Sequence, residues 1–241
     1  MAPSIRTLML PVMRLDKFVC KSTELTRNEA TQSIERGEIR VNGIVTVNAA
    51  TQVHENNAIT LNGQTLIARS FRYLLVHKPA NTLCSSVDEV YPSLLNYIDV
   101  DNPAELHMAG RLDADTTGLV LLTDDGRWSF DIIRPTRQCE KVYRVGLTRP
   151  IADDVALKFK HGVQLQGEQH LTRPATLETL SRKEVRLTIT EGKFHQVKRM
   201  FAAVGNRVVS LHRERIGNIC LDVEVGQWRH LTADEVLSFS R

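Results

Sequence analysis

The chain has 241 residues, 42% of them hydrophobic and 24% charged, the balance of an ordinary globular protein long enough to bury one or two cores. Thirty-one basic against 28 acidic side chains leave a formal net charge of only +3, so an anionic partner has to be argued from local clusters. No apolar run approaches the ~18 residues of a membrane span, and Met9-Leu10-Pro11-Val12 is too short for a signal-peptide core before Arg14 and Asp16. The four cysteines, Cys20, Cys84, Cys139 and Cys220, form no Cys-x-x-Cys pair, which argues against a zinc or redox site and suits a reducing, cytoplasmic setting.

Residues 1–12 read as an extension ahead of Met13, where a domain pattern begins. Arg14-Leu15-Asp16-Lys17-Phe18-Val19 predicts a short amphipathic helix with Leu15, Phe18 and Val19 inward. Thr26-Arg27-Asn28-Glu29 fits a capping box opening a second helix, which buries Ala30 and Ile34 and stops at Gly37. Ile39-Arg40-Val41, Asn42-Gly43 and Ile44-Val45-Thr46-Val47 predict a hairpin, and Val53 to Leu61 supplies further strand, with Asn56-Asn57 as a turn. The cations Arg14, Lys17, Arg27, Arg36 and Arg40 decorate this unit. By composition alone they read equally as a solvated face or as phosphate contacts.

Arg69-Ser70-Phe71-Arg72 reads as a linker, and Tyr73-Leu74-Leu75-Val76-His77 as a strand ending at Lys78-Pro79. Gly110-Arg111-Leu112-Asp113-Ala114-Asp115-Thr116-Thr117-Gly118 then runs into Leu119-Val120-Leu121-Leu122, a buried strand expected to end in an Asp124-Asp125-Gly126 turn. An arginine and an acid beside a buried strand are costly unless paired or employed in chemistry. Spacing alone leaves Asp113-x-Asp115 open between a divalent-metal pair and acids that cap backbone N–H groups. Lys141 to Leu147 predicts a strand with Tyr143, Val145 and Leu147 on one face; Val185, Leu187 and Ile189 mark another. Glu191 to Phe201 leads into a helix ending at Gly205-Asn206, and Leu211 to Gly217 adds a second basic patch, whose Arg213 and Arg215 are expected to bind RNA.

The block Arg14-Leu15-Asp16-Lys17, Thr26-Arg27 and Arg40-Val41-Asn42-Gly43 resembles the S4 RNA-binding domain. Gly110-Arg111-Leu112-Asp113, Glu140-Lys141-Val142-Tyr143 and Gln196-Val197-Lys198-Arg199 resemble the motifs of pseudouridine synthases of the small-subunit rRNA type. That resemblance implies an α+β fold: an S4 domain over 13–70, then a catalytic domain over 71–241 with a mixed, mostly antiparallel sheet. It implies Asp113 as the catalytic acid, Tyr143 as the ring that stacks on the target base, and Lys198 as the cation paired with Asp113. Arg111, Val197 and Lys78 would bind substrate, with Arg199 in place of Lys198 if the helix phase is shifted by one. His195 and His212 are expected to face RNA or serve structure, since the reaction needs no imidazole. Isomerising uridine oxidises nothing, so no cofactor and no metal is expected. Asp115 to Leu121, Asp125 to Ser129 and Cys139-Glu140-Lys141 look most like the type acting on one uridine of 16S rRNA, in free RNA or a small-subunit assembly intermediate. A monomer is expected. The rival readings are a large-subunit (23S) rRNA synthase, a non-catalytic S4-type assembly factor, and a metal-dependent transferase built on Asp113 and Asp115.

Overall fold

The computed structural model describes residues 12–54 and 56–239, and the expected extension lies outside them apart from Val12. The chain divides between Phe71 and Arg72 into two compact units.

The first unit runs β1 (Met13–Arg14), α1 (Leu15–Ser22), α2 (Arg27–Glu35), β2 (Ile39–Val41), β3 (Ile44–Val45), β4 (Gln52–Val53), β5 (Ile59–Leu61) and β6 (Gln64–Thr65). The capping box forms as expected: Thr26 Oγ1 accepts from the Glu29 N–H, and the Glu29 carboxylate accepts from the Thr26 N–H. Asn42 and Gly43 both take positive φ, the geometry a tight two-residue hairpin turn requires. The hairpin strand is shorter than expected, stopping at Val45, and β4 and β5 are separate pieces because the chain turns through Asn56-Asn57 between them. Leu15, Phe18, Val19, Ala30, Ile34, Ile39, Val53 and Ile59 form its core. The buried Asp16 carboxylate accepts from Arg14 and Arg27. Burial alone would raise its pKa; the bonds from Arg14 and the Lys17 N–H outweigh that and hold it below the usual carboxylate range.

The second unit runs β7 (Tyr73–Lys78), β8 (His107–Ala109), β9 (Thr117–Thr123), α3 (Gly126–Ile133), β10 (Lys141–Leu147), α4 (Val155–His161), β11 (Thr176–Ser181), β12 (Glu184–Ile189), α5 (Gln196–Ala203), β13 (Val208–Ile216), β14 (Ile219–Cys220), β15 (Trp228–His230) and α6 (Ala233–Leu237). Nine strands make one sheet in the order β11-β12-β10-β13-β9-β7-β15, with β8 on β9 and β14 on β13. Every pairing is antiparallel except β9 with β13, where Thr117 lies beside His212 and Gly118 beside Arg213. The fold is therefore α+β with a mixed, mostly antiparallel sheet.

Strand β9 is buried on both faces, which is why it reads as a continuous apolar run rather than an alternation. Val120 and Leu122 join Leu74, Val145, Leu187, Met200 and Phe201 on one side; Leu119 and Leu121 join Leu75, Trp128, Ile132 and Val236 on the other. The Asp-Gly turn expected after β9 is instead a helix start. Asp125 accepts from the N–H groups of Arg127 and Trp128 and caps α3, while Asp124 binds Arg72.

Candidate active site

The parallel contact between β9 and β13 sits at the middle of the sheet, and the loop entering β9 carries Asp113. That loop is held from several sides. Lys78, at the end of β7, is wholly buried, and its ammonium donates to the carbonyls of Pro79 (2.9 Å), Ala114 (3.0 Å) and Thr116 (2.8 Å). Burial pushes its pKa down. The Leu112 N–H donates to Cys84 Sγ at 3.3 Å, and the Asn81 N–H donates to the Ala114 carbonyl at 2.8 Å. Asn81 adopts φ 57°, a left-handed conformation that asparagine tolerates better than most residues. Lys78 therefore shapes the loop and is not available to substrate, which corrects the substrate-binding expectation: all three of its protons are committed to backbone.

Arg213 requires a larger correction. Expected on the RNA surface, it is 1% exposed, with Nε donating to Leu119 O (2.7 Å) and Nη2 to Gly110 O (2.7 Å). Its Nη1 donates to the Tyr143 hydroxyl at 3.3 Å. A buried guanidinium with polar partners on three sides is a strut, and it ties the Asp113 loop to β10. Arg215 is half-buried and tied to Glu140 and the Gly217 carbonyl. Arg199 is half-buried, bound to Glu168 and to the carbonyls of Phe194 and Gln166, so it shapes the turn before α5 and does not stand in for Lys198.

The remaining residues expected at the catalytic centre converge on one cleft of about 1020 Å³. Asp113, Tyr143, Val197, Lys198 and Arg111 all line it. Lys198 Nζ lies 3.0 Å from Asp113 Oδ2 and 2.7 Å from Asp115 Oδ1. Its own burial would lower the Lys198 pKa, but the hydrogen bonds to Asp115 and Asp113 win and raise it. The same ammonium holds Asp115 below the usual carboxylate range. Tyr143 is buried in the cleft wall, Val197 belongs to the core beneath it, and Arg111 is exposed with no ion-pair partner among the described residues. Arg14, Arg27, Arg36 and Arg40 are exposed on the first unit and Lys17 is half-buried there.

Two features of the cleft were not legible beforehand. Asp115 shares Lys198 with Asp113, whereas spacing left the two acids open between a metal pair and caps of backbone N–H groups. His195 takes a left-handed backbone (φ 47°) that aims Nε2 at Asp113 Oδ1, 3.4 Å away. A positive φ at a residue other than glycine costs energy and concentrates at working sites, but no spacing rule announces it.

The model of the RNA pseudouridylate synthase family matches residues 72–203, the segment that carries this cleft. The chain belongs to that family. The S4 domain model matches residues 13–59. Among curated relatives, "Ribosomal small subunit pseudouridine synthase A" of Vibrio cholerae is 49% identical over 228 residues, covering 94% of this chain and 99% of that protein. The protein of the same name from Escherichia coli is 47% identical over 229 residues, covering 94% and 99%. A solved structure described as "Crystal structure of pseudouridylate synthase" superposes with a TM-score of 0.69 at 42% identity, covering 94% of this chain and 99% of that one.

The Lys78 network carries a test. Lys78→Met keeps most of the side-chain volume but takes the donor from three carbonyls; Ala114 keeps its bond from the Asn81 N–H, while Pro79 and Thr116 lose theirs. We expect a loss of roughly 2–4 kcal/mol in stability, from the cost of orphaned buried polar groups, and a fall in kcat larger than the change in KM. Thermal unfolding and steady-state kinetics on the purified variant check both.

Proposed function

We propose that this protein isomerises one uridine of small-subunit (16S) rRNA to pseudouridine, with Asp113 as the catalytic carboxylate. The observation that carries this reading is Asp113 held 3.0 Å from Lys198 in a cleft that Tyr143 also lines. The names of the relatives, which are similar along nearly the whole chain, support the small subunit as the source of the substrate.

The reaction breaks the uridine N1–C1′ bond, turns the uracil, and joins C5 to C1′; the C5 proton is released to solvent and N1 regains one. Nothing is oxidised. Asp113 either attacks C1′ or removes the C2′ proton, and both roles require it ionised. Lys198, with its raised pKa, stays protonated through the neutral range and supplies the compensating charge. Drawing the target base out of its stack costs a few kcal/mol, and stacking on Tyr143 returns roughly 1–3 kcal/mol of that. The exposed cations of the S4 domain bind phosphate, which sets affinity and position without reading sequence.

The Lys198 ammonium sits between the two carboxylates, the space a bridging divalent cation would occupy in a metal-dependent transferase. Activity should accordingly be unchanged by EDTA on an RNA that folds without divalent ions. Abolition by chelator and recovery with a divalent cation would favour the transferase reading.

The direct test supplies purified protein with 16S and 23S rRNA, each both free and in subunit assembly intermediates, and maps pseudouridine in each. A single new pseudouridine in 16S alone is expected; modification confined to 23S would support the large-subunit alternative, and none in either would support the non-catalytic one.

A further inference from the structure

Phe194 is 76% exposed, more than any other aromatic residue described, yet it lines the same cleft as Asp113. The exposure is imposed by a well-held turn. Arg199 donates to the Phe194 carbonyl at 3.0 Å, Gln196 Oε1 accepts from the Lys193 N–H at 2.8 Å, and Gln196 Nε2 donates to Glu191 at 2.7 Å. One face of the Phe194 ring lies on His195, with centroids 3.8 Å apart and planes 21° from parallel. Holding an apolar ring in water costs hydrophobic free energy, and the left-handed His195 beneath it adds backbone strain.

Two aromatic rings thus sit at different depths of one cleft. Tyr143, 7% exposed, is in the wall; Phe194 is at the mouth. We propose that the Phe194–His195 stack is a platform for a second nucleobase of the substrate RNA, the one flanking the uridine taken into the cleft. Every base offers a flat π-face, so such a platform holds a strand without reading its sequence. The backbone between the two bases would pass the exposed, unpaired Arg111, whose charge suits a phosphate. This deepens the proposed function and rests on it: Phe194 positions the RNA strand, and Asp113 does the chemistry.

The test uses the full-length protein and 16S rRNA carrying 5-tritiated uridine, supplied free and in small-subunit assembly intermediates. Phe194→Ala should raise the half-saturating RNA concentration roughly tenfold, the loss of one stacked base, while maximal tritium release stays within about twofold. Phe194→Trp should restore wild-type half-saturation, which a purely structural role for the phenyl ring would not allow. Ultraviolet cross-linking of the wild-type complex should join RNA to the tryptic peptide Phe194–Lys198 at a nucleotide adjacent to the new pseudouridine. Tritium release with unchanged half-saturation in Phe194→Ala, or a cross-link absent from that peptide, overturns the platform and leaves the isomerase reading standing. No tritium release by the wild-type protein overturns both.

Discussion

Asp113→Asn should abolish isomerisation, lowering tritium release from 5-tritiated uridine by on the order of a thousandfold or more. The substitution keeps the size of the side chain and its hydrogen bonding, but an amide neither attacks C1′ nor removes a proton at a useful rate. RNA affinity should stay within a few fold, because the proposed phosphate contacts of the first unit do not involve Asp113. Asp115→Asn is the internal comparison. Asp115 is the more exposed acid, and Lys198 bonds it at 2.7 Å while reaching Asp113 at 3.0 Å. Losing that charge-assisted bond should cost on the order of tenfold, through poorer placement of Lys198, and leave the reaction working. Equal losses in the two variants would mean that the carboxylates act as a pair.

Gly118→Ala should produce the largest loss of stability. Gly118 stands at φ 110°, and a Cβ there would lie 2.3 Å from the Arg213 carbonyl oxygen and 2.5 Å from its nitrogen. Those atoms belong to the neighbouring strand in the middle of the sheet, so neither can yield without separating β9 from β13. A clash with backbone on both a buried strand and its partner belongs to the exceptional class of single changes, about 4 kcal/mol or more. For a chain of this size that is a fall in melting temperature of roughly 10 °C or more, or failure to accumulate soluble protein. Gly126→Ala is the matched control: no atom lies within 4 Å of its Cβ position, and φ is ordinary there. It should be neutral to within about 0.5 kcal/mol. The arrangement explains why the site needs glycine: only a strand without a side chain lets the Arg213 backbone come this close, and Arg213 in turn fixes Gly110, Leu119 and Tyr143.

Much of this was legible in the sequence, for identifiable reasons. The capping box at Thr26 and the Asn42-Gly43 hairpin are local, and local chemistry alone specifies them. Strand β9 was visible because burial on both faces leaves an unbroken apolar run. The meeting of Asp113, Tyr143 and Lys198, 85 residues apart from first to last, was expected from motif resemblance; composition and spacing carry no such information. What was not legible depended on tertiary burial. Lys78 and Arg213 look like any surface cations until their neighbours are known, and both prove to be internal struts. The Asp125 cap read as a turn because Asp-Gly suits both a turn and a helix entry, and only the packing of Trp128 and Ile132 decides between them. The left-handed His195, which brings an imidazole to Asp113, follows from the path of the chain into α5 and has no signature of its own.

The most direct measurement of the central claim is pseudouridine mapping in the ribosomal RNA of cells lacking this protein. The account predicts that one pseudouridine disappears from 16S rRNA, that 23S rRNA is unchanged, and that the wild-type gene restores the modification while the Asp113→Asn gene does not. An unaltered 16S map, a loss confined to 23S rRNA, or restoration by Asp113→Asn would contradict it.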